Sequence, residues 1–118
     1  MTDLDALCGR LFDAFVAHDL DAVDAMLADR AVITQNGTAM SWAQARPVLA
    51  GLIDVIRDLR YTDVRRTVGD RTVVEEHTVV GELPDGRPVH VAACVVVRVD
   101  DAGAITSLDE YVDTAGLA

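Results

Sequence analysis

The sequence contains no lysine, so all ten of its basic residues are arginines. This absence excludes Schiff-base chemistry and a lysine nucleophile. Cysteine is also rare, because only Cys8 and Cys94 are present, and both have apolar sequence neighbours. We expect them to be small buried residues, since a disulfide framework in a small domain normally uses more cysteines.

Positive charge is scarce, because ten arginines stand against twenty acidic residues and give a formal net charge of -10. A phosphate backbone would repel such a chain, so no nucleic-acid partner is expected. No run approaches the ~20 apolar residues of a membrane span. The first residues, Met1 to Asp5, lack the basic start and apolar stretch of a signal peptide. We therefore expect a cytoplasmic protein without a membrane partner.

Motifs with a fixed spacing are missing as well. The sequence has no serine nucleophile elbow, no phosphate-binding loop and no zinc-ligand spacing. Glu75 and His77 could supply two metal ligands, but no third and fourth ligand follows at a suitable spacing. We therefore expect neither a metal ion nor a cofactor.

The chain has 118 residues, of which 51% are hydrophobic, and this is enough for a single domain, 1–118, with its own core. Its first half predicts three helices. Thr2 is a candidate N-cap of the first helix, and Ser41 to Gln44 has the form of a capping box for the third. The apolar residues at helical spacing are Leu4, Leu7, Leu11 and Phe15, then Leu20, Val23, Met26 and Leu27, then Leu49, Leu52, Ile53 and Ile56.

The second half changes to the period of a strand. Runs rich in valine and threonine predict strands near 60–68, 71–82, 88–100 and 104–113, and a short strand is expected at 31–34. The turns between the four later strands are short, so neighbouring strands should be antiparallel. Helices followed by such a meander indicate an α+β domain with the helices on one face of the sheet.

Glutamate is the scarcer acid, with four residues against sixteen aspartates, and Glu110 has the most informative position. In the last predicted strand Leu108, Glu110 and Val112 share one side, which ought to face the helices. A carboxylate among apolar neighbours can be tuned into a general acid or base near neutral pH. Pairing with an arginine, or exposure at a sheet edge, is an equally open interpretation.

The strand 71–82 carries a second group of candidates, and their orientation depends on the loop around Pro84-Asp85-Gly86. A four-residue loop turns Glu76 and Thr78 inward, whereas a three-residue loop turns Glu75 and His77 inward instead. Strand 88–100 is apolar on both faces, so the residues alone leave both registers open. The neighbours expected beside the inward pair are Val91, Ala93 and Val95.

A resemblance to a known family rests on the order of the elements and on two segments, Ala17-His-Asp-Leu-Asp-Ala-Val-Asp-Ala-Met-Leu-Ala-Asp29 and Ile105-Thr-Ser-Leu-Asp-Glu-Tyr-Val-Asp113. Both resemble the SnoaL-like branch of the nuclear transport factor 2-like superfamily. The resemblance implies an α+β fold with three N-terminal helices packed in the concave face of a curved antiparallel sheet. This cystatin-like cone would have an internal pocket, and homodimers would form through the outer face of the sheet.

The catalytic positions of relatives can be compared through this resemblance. Limonene-epoxide-hydrolase-like proteins use an Arg–Asp pair, which Glu76 and Thr78 replace here, and a last-strand aspartate, which corresponds to Glu110. That last-strand carboxylate is similar to the acidic residue of SnoaL-type polyketide cyclases, with Asp109 as its nearest rival. Ketosteroid-isomerase-like proteins use a base and two oxyanion donors. The corresponding positions hold Gln35, Leu11 and Val95, so neither the hydrolase nor the isomerase set is retained.

The resemblance also selects the four-residue loop, because it places Glu76 and Thr78 inward. Glu76 and Glu110 would then face one cavity, where one of them should hold a proton and the other accept it. These two are the expected catalytic residues. The expected substrate-binding residues are Gln35, Thr78, Trp42, Tyr61, Leu108, Val91, Ala93 and Val95.

From these residues we expect an acid–base enzyme without a cofactor. It would be an isomerase, cyclase or hydrolase that acts on a small hydrophobic molecule such as a polyketide or terpenoid. The alternative is a non-catalytic module of the same fold that binds a small ligand or forms a dimer. For each single wall residue, ordinary core packing is the competing interpretation.

Overall fold

A computed structural model, which describes residues 2–117, contains three α-helices and one six-stranded sheet. None of these helices has the length and apolar character needed to cross a membrane. The elements follow in the order α1 Leu4–Val16, α2 Leu20–Met26, β1 Leu27–Gln35, β2 Thr38–Ser41, α3 Trp42–Val55, β3 Arg57–Val68, β4 Thr72–Glu82, β5 Pro88–Val99, β6 Ile105–Val112 and a short 3-10 helix Thr114–Leu117.

The strands are arranged in the order β2-β1-β6-β5-β4-β3, and the sheet curves around the helices without closing. The predicted α+β class, with three helices packed against a curved sheet, is confirmed. The sheet is mixed rather than wholly antiparallel, because β1 runs parallel to β6 while the other neighbouring strands are antiparallel. This pair joins the first strand to the last, and β1 is longer than the predicted strand 31–34.

The helices begin where side chains cap them. Asp3, not the predicted Thr2, is the N-cap of α1, because its carboxylate accepts from the backbone N–H of Ala6 at 3.1 Å. The predicted capping box of α3 is confirmed, since the side chains of Ser41 and Gln44 each accept from the other's backbone N–H. These caps satisfy donors that would otherwise have no partner in the first turn.

The core lies between α1 and the concave face of the sheet. Cys8 and Leu11 on α1 are fully buried, as are Val73, Val97 and Ile105 on the strands opposite. The third helix contributes less than its sequence predicts. Helical spacing would bury Leu52 with Ile53 and Ile56, but Leu52 is 39% exposed. The buried residues of this segment are Ala45, Ile53 and Ile56.

The hairpin between β4 and β5 has a three-residue loop, Pro84 to Gly86. The backbone N–H of Leu83 donates to the carbonyl of Arg87 at 2.8 Å, and Gly86 has a φ of +88°. A glycine with positive φ at the third loop position is typical of this hairpin type. The register pairs Glu75 with Val95 and His77 with Ala93. The predicted four-residue loop, with Glu76 and Thr78 facing inward, is therefore wrong.

Two bulges interrupt β3. Asp58 and Leu59 lie opposite the single residue Gly81, and Asp63 and Val64 lie opposite the single residue His77. Both aspartates have a φ of 55°. A bulge bends its strand and shifts the alternation of side chains by one residue. The two bulges therefore help to curve the sheet, and the second determines which side chains of β3 face the helices.

Gly81 is required by the close approach of the chain at the first bulge. A Cβ atom there would lie 2.3 Å from Cγ2 of Ile56 and 2.9 Å from the carbonyl oxygen of Arg57. We expect Gly81→Ala to lower the free energy of unfolding by about 1–3 kcal/mol, as overpacking does. Urea denaturation would measure this loss.

The matched control is Gly51→Ala in α3, where an added Cβ meets nothing within 4 Å. That variant should gain about 0.5–1 kcal/mol, because alanine favours a helix. Equal midpoints for Gly81→Ala and the wild type would show that the predicted clash is relieved without cost.

Candidate functional site

A row of polar residues crosses the concave face of the sheet. Arg66 on β3 is paired in register with Glu75 on β4, and Glu75 is paired with Val95 on β5. The row continues from Val95 to Glu110 on β6 and from there to Gln35 on β1. Directly paired residues point to the same face of a sheet, so the strands bring these four polar side chains onto one surface.

Glu75 has the most polar contacts in this row and is fully buried. Its Oε1 accepts from Nε of Arg66 at 2.7 Å, and its Oε2 lies 2.5 Å from Nδ1 of His77. The thiol of Cys8 on α1 is 3.7 Å from Oε1. Each carboxylate oxygen therefore has its own nitrogen partner, which is how a buried charge becomes tolerable.

The environment of Glu75 favours its ionised form. Burial alone raises the pKa of this carboxyl group, but the hydrogen bonds from His77 and Arg66 and the positive charge of the guanidinium outweigh burial, so that the pKa is lowered. The same surroundings act in the opposite direction on Cys8. Burial, aided by the negative charge of Glu75, raises the pKa of the Cys8 thiol to about 12. The structure thus holds an ionised carboxylate beside a neutral thiol.

His77 is held between two aromatic rings. Its ring centroid is 4.9 Å from that of Phe12, in an edge-to-face arrangement, and 4.4 Å from that of Tyr61. The imidazole is buried, and its Nε2 has no hydrogen-bond partner among residues 2–117. Because buried polar atoms are normally hydrogen-bonded, a nitrogen of this kind lacks the partner that a water molecule or a ligand group would supply.

Tyr61 on β3 is affected by both carboxylates of the row. Burial is the first cause that raises the pKa of its phenol, and the negative charges of Glu110 and Glu75 raise it further. The phenol therefore remains protonated at any physiological pH. It can donate a hydrogen bond but cannot act as a base.

Glu110 faces inward, as its position in the last strand predicts. It is half-buried, and its Oε1 accepts from the amide Nε2 of Gln35 at 3.0 Å. Val95 separates it from Glu75, which places the two acids two strands apart, or about 10 Å at the usual strand spacing. The two inward acids are therefore Glu75 and Glu110, and each has its own partner.

A family comparison identifies the domain family of this chain. The family model described as "SnoaL-like domain" matches residues 9–108, which is most of the chain. The chain belongs to the SnoaL-like domain family. The resemblance seen in the sequence is thereby confirmed. Among curated proteins, no relative matches this SnoaL-like domain.

Solved structures show the same fold. A candidate hydroxylase from Streptomyces galilaeus, AclR, is 18% identical with a TM-score of 0.86, and 96% of this chain and 80% of that chain are covered. A candidate polyketide cyclase from Streptomyces antibioticus, IdmH, is 20% identical with a TM-score of 0.85, with 98% and 95% covered. A protein with a ketosteroid isomerase-like fold from Catenulispora acidiphila, solved with trimethylamine, is 18% identical with a TM-score of 0.75, with 88% and 82% covered. At such identities the likeness shows the fold alone.

Glu76 and Thr78 lie outside the cone of this SnoaL-like domain, which corrects their predicted place. The carboxylate of Glu76 is 49% exposed and is 3.2 Å from the guanidinium of Arg65. Both residues border a depression of about 550 Å³, which also involves Asp63, Val64 and Arg65. The predicted pair of Glu76 and Glu110 in one cavity does not exist, because the three-residue hairpin loop turns Glu76 away from the helices.

The predicted wall residues separate into two groups. Trp42 is half-buried, and its indole N–H donates to Asp24 on α2. It borders a depression of about 720 Å³ formed by β1, β2 and the start of α3. The residues that do lie on the concave face near the polar row are Tyr61, Val91, Ala93, Val95 and Leu108.

The sequence interpretation missed the roles of Arg66 and Phe12 and assigned Glu75 and His77 to the wrong face. One signal could have corrected the face, because Pro84-Asp85-Gly86 places a glycine where a three-residue loop needs positive φ. Within residues 2–117 no group of three or more His, Cys, Asp or Glu side chains could hold a metal ion. The arrangement instead suits proton transfer through His77 and Glu110 and hydrogen bonding by Tyr61 and Gln35.

Because Glu75 is buried and ion-paired, the domain should lose stability at low pH through this residue. Its pKa in the folded protein is below the ordinary value of 4.5, so the stabilisation is complete above that pH and is lost as the pH falls through the lower value. We expect Glu75→Gln to lower the free energy of unfolding by about 3 kcal/mol at pH 7, and by less at pH 3. Denaturation of both proteins at each pH measures the difference.

Glu76→Gln is the matched control, since it removes the neighbouring carboxylate from the exposed pair with Arg65. Its effect should stay below about 1 kcal/mol. A gap between wild type and Glu75→Gln that is the same at pH 7 and pH 3 would contradict the assignment of an ionised Glu75.

Proposed function

We propose that this SnoaL-like domain is an acid–base enzyme that acts without a cofactor on a small hydrophobic molecule such as a polyketide or terpenoid. The observation that carries the proposal is the buried His77, whose Nδ1 contacts Glu75 while its Nε2 has no partner among residues 2–117. A histidine oriented by a carboxylate and free at its other nitrogen is suited to general acid–base catalysis. The reaction class is an isomerisation, a cyclisation or a hydrolysis.

His77 would act as the base in this reaction. The ionised Glu75 accepts a hydrogen bond from Nδ1–H, so the lone pair of the neutral imidazole lies on Nε2. A substrate that presents an acidic C–H or O–H group to Nε2 would give its proton to that nitrogen. Phe12 and Tyr61 line this position with rings, which supports an apolar substrate.

Tyr61 and Glu110 would complete the site. When a proton leaves the carbon beside a carbonyl, charge develops on the oxygen, and a phenol that stays protonated can donate to it. Glu110, held by Gln35, would be the second proton acceptor or donor, near the other end of the polar row. The spacing of about 10 Å between Glu75 and Glu110, two strand separations, supports a substrate with two or more rings. The fold neighbours described as candidate polyketide cyclases point to the same substrate class.

The proposal can be tested with 2-tetralone, a two-ring ketone whose C–H bonds beside the carbonyl exchange with solvent when a base removes a proton. We expect the wild type to accelerate deuterium exchange in D2O, measured by proton NMR. His77→Gln should lower the accelerated rate by about 10²–10⁴-fold, the usual contribution of a general base. Glu110→Gln should lower it by about tenfold or more.

Glu76→Gln serves as the control, because Glu76 lies on the outer side of the sheet beside Arg65. This variant should exchange the ketone at the wild-type rate. Exchange by His77→Gln at the wild-type rate would remove His77 from the mechanism. Loss of exchange in Glu76→Gln would instead restore the outer carboxylate as a candidate.

A non-catalytic module is the second candidate function. It is favoured by the packing of Phe12 directly against the imidazole of His77, which covers the ring from one side. Such a module would bind 2-tetralone, seen as shifts of ligand signals, without accelerating exchange. Binding together with exchange that depends on His77 would exclude this alternative.

The same chain is proposed to form a homodimer through the outer face of the sheet. In support, β5 is apolar on its outer side as well, with Ala92, Cys94 and Val96, and the neighbouring Tyr111 is 54% exposed. Sedimentation equilibrium should give twice the chain mass of 12.6 kDa for the wild type. Val96→Asp should give the single mass, and a monomeric wild type at 100 μM would contradict the dimer.

A further inference from the structure

We propose that Arg66 is a positioning residue of this site: its guanidinium fixes the Glu75 carboxylate, which in turn determines the nitrogen of His77 that carries the proton. The inference rests on the proposed function, in which Nε2 of His77 accepts a proton. Arg66 itself makes no contact with the nitrogen that would react. It acts through Glu75, one residue further from the substrate.

The contacts show how the three side chains are linked. Nε of Arg66 donates to Oε1 of Glu75 at 2.7 Å, while Oε2 of Glu75 lies 2.5 Å from Nδ1 of His77. Each carboxylate oxygen has a different partner. The arginine therefore orients the carboxylate without competing with the histidine for the same oxygen. Glu75 is fully buried, whereas the side chain of Arg66 is 25% exposed.

The second bulge in β3 is what allows Tyr61 and Arg66 to face the same side of the sheet. Tyr61 faces inward, and regular alternation would put residues 63, 65 and 67 on the same face. Because Asp63 and Val64 together lie opposite the single residue His77, the alternation shifts by one residue, and Arg66 instead faces inward beside Glu75. Arg65 consequently faces outward and pairs with Glu76.

Arg66 supplies the positive charge beside Glu75, because the other side chains that the structure describes around the carboxylate are neutral or negative. Cys8 faces the carboxylate from α1, but burial raises the pKa of this thiol to about 12, so the thiol carries no charge at neutral pH. Tyr61 likewise stays a neutral phenol. Asp5 on α1 lies 3.5 Å from the guanidinium of Arg66 and adds a second acceptor for the same cation.

The proton balance gives the expected effect of removing the guanidinium. With Arg66 present, Glu75 is a carboxylate, Nδ1 of His77 carries the proton, and Nε2 has the lone pair. Without Arg66, a fully buried carboxylate loses a cation, and the Glu75–His77 pair takes up one proton from solvent. Either the acid then donates to Nδ1 of a neutral imidazole or the imidazole becomes doubly protonated. In both cases Nε2 carries a proton and can no longer accept one.

The experiment is ¹⁵N NMR of the protein labelled at histidine, at pH 7, with the signals of His77 assigned by comparison with His77→Gln. We expect Nε2 of His77 to be unprotonated in the wild type and protonated in Arg66→Met. Arg66→Lys, which keeps the positive charge, should recover an unprotonated Nε2 at least in part. Arg65→Met, the same change at the adjacent outward residue, should leave the signals of His77 unchanged.

Each outcome decides the inference. An Nε2 that carries a proton in the wild type overturns it, as does an unprotonated Nε2 in Arg66→Met. If Arg66→Met does not fold, Arg66→Gln replaces it, with the same expected signal and the same contradicting one. If neither neutral variant folds, Arg66→Lys decides, and a protonated Nε2 in that folded variant overturns the inference.

The readout does not need turnover, so the two proposals can fail separately. A wild type that shows the expected nitrogen states but no exchange of 2-tetralone would remove the catalytic function and leave the positioning role of Arg66 intact. An active wild type whose His77 signals do not respond to Arg66→Met would remove the positioning role of Arg66 and leave the catalytic function intact.

Discussion

The buried carboxylate of Glu75 sets the conditions that its surroundings must meet. A charge without contact to water is stable only if donors surround it, and here the donors come from two neighbouring strands. The helix α1 covers the carboxylate from above with Cys8 and packs Phe12 against the histidine. The same helix therefore packs the core and contacts the polar site. A shift of α1 on the sheet would change the surroundings of the Glu75 carboxylate.

Much of the fold was predictable from local patterns. Helical spacing located α1 and α2, the Ser41–Gln44 box located the start of α3, and valine-rich runs located the four later strands. The inward position of Glu110 also followed from alternation, because β6 has no bulge among the residues around it. These features depend on interactions between residues close in sequence, and sequence patterns record such interactions directly.

The orientation of β4 was not predictable in the same way. Its partner β5 is apolar on both faces, so the residues of β5 fit either register, and the family resemblance favoured the wrong one. The parallel pairing of β1 with β6 was also invisible, since it joins residues about 75 positions apart. Arg66 was missed for a third reason. No residue pattern in β3 predicts the bulge in which Asp63 and Val64 lie opposite a single residue of β4. Register, long-range pairing and bulges are decided by the assembled sheet.

The bulge at Asp63 and Val64 gives β3 one residue more than β4 at this place in the sheet. Removing either of these two residues would leave a single residue opposite His77, and every other residue of β3 would keep its partner and its face. Arg65 would still face outward and Arg66 inward, so the change would reduce the bend of the strand rather than exchange the two arginines. In domains built like this one, the bulge is therefore a place where related chains can differ in length by one residue while the proton chemistry of the site is preserved.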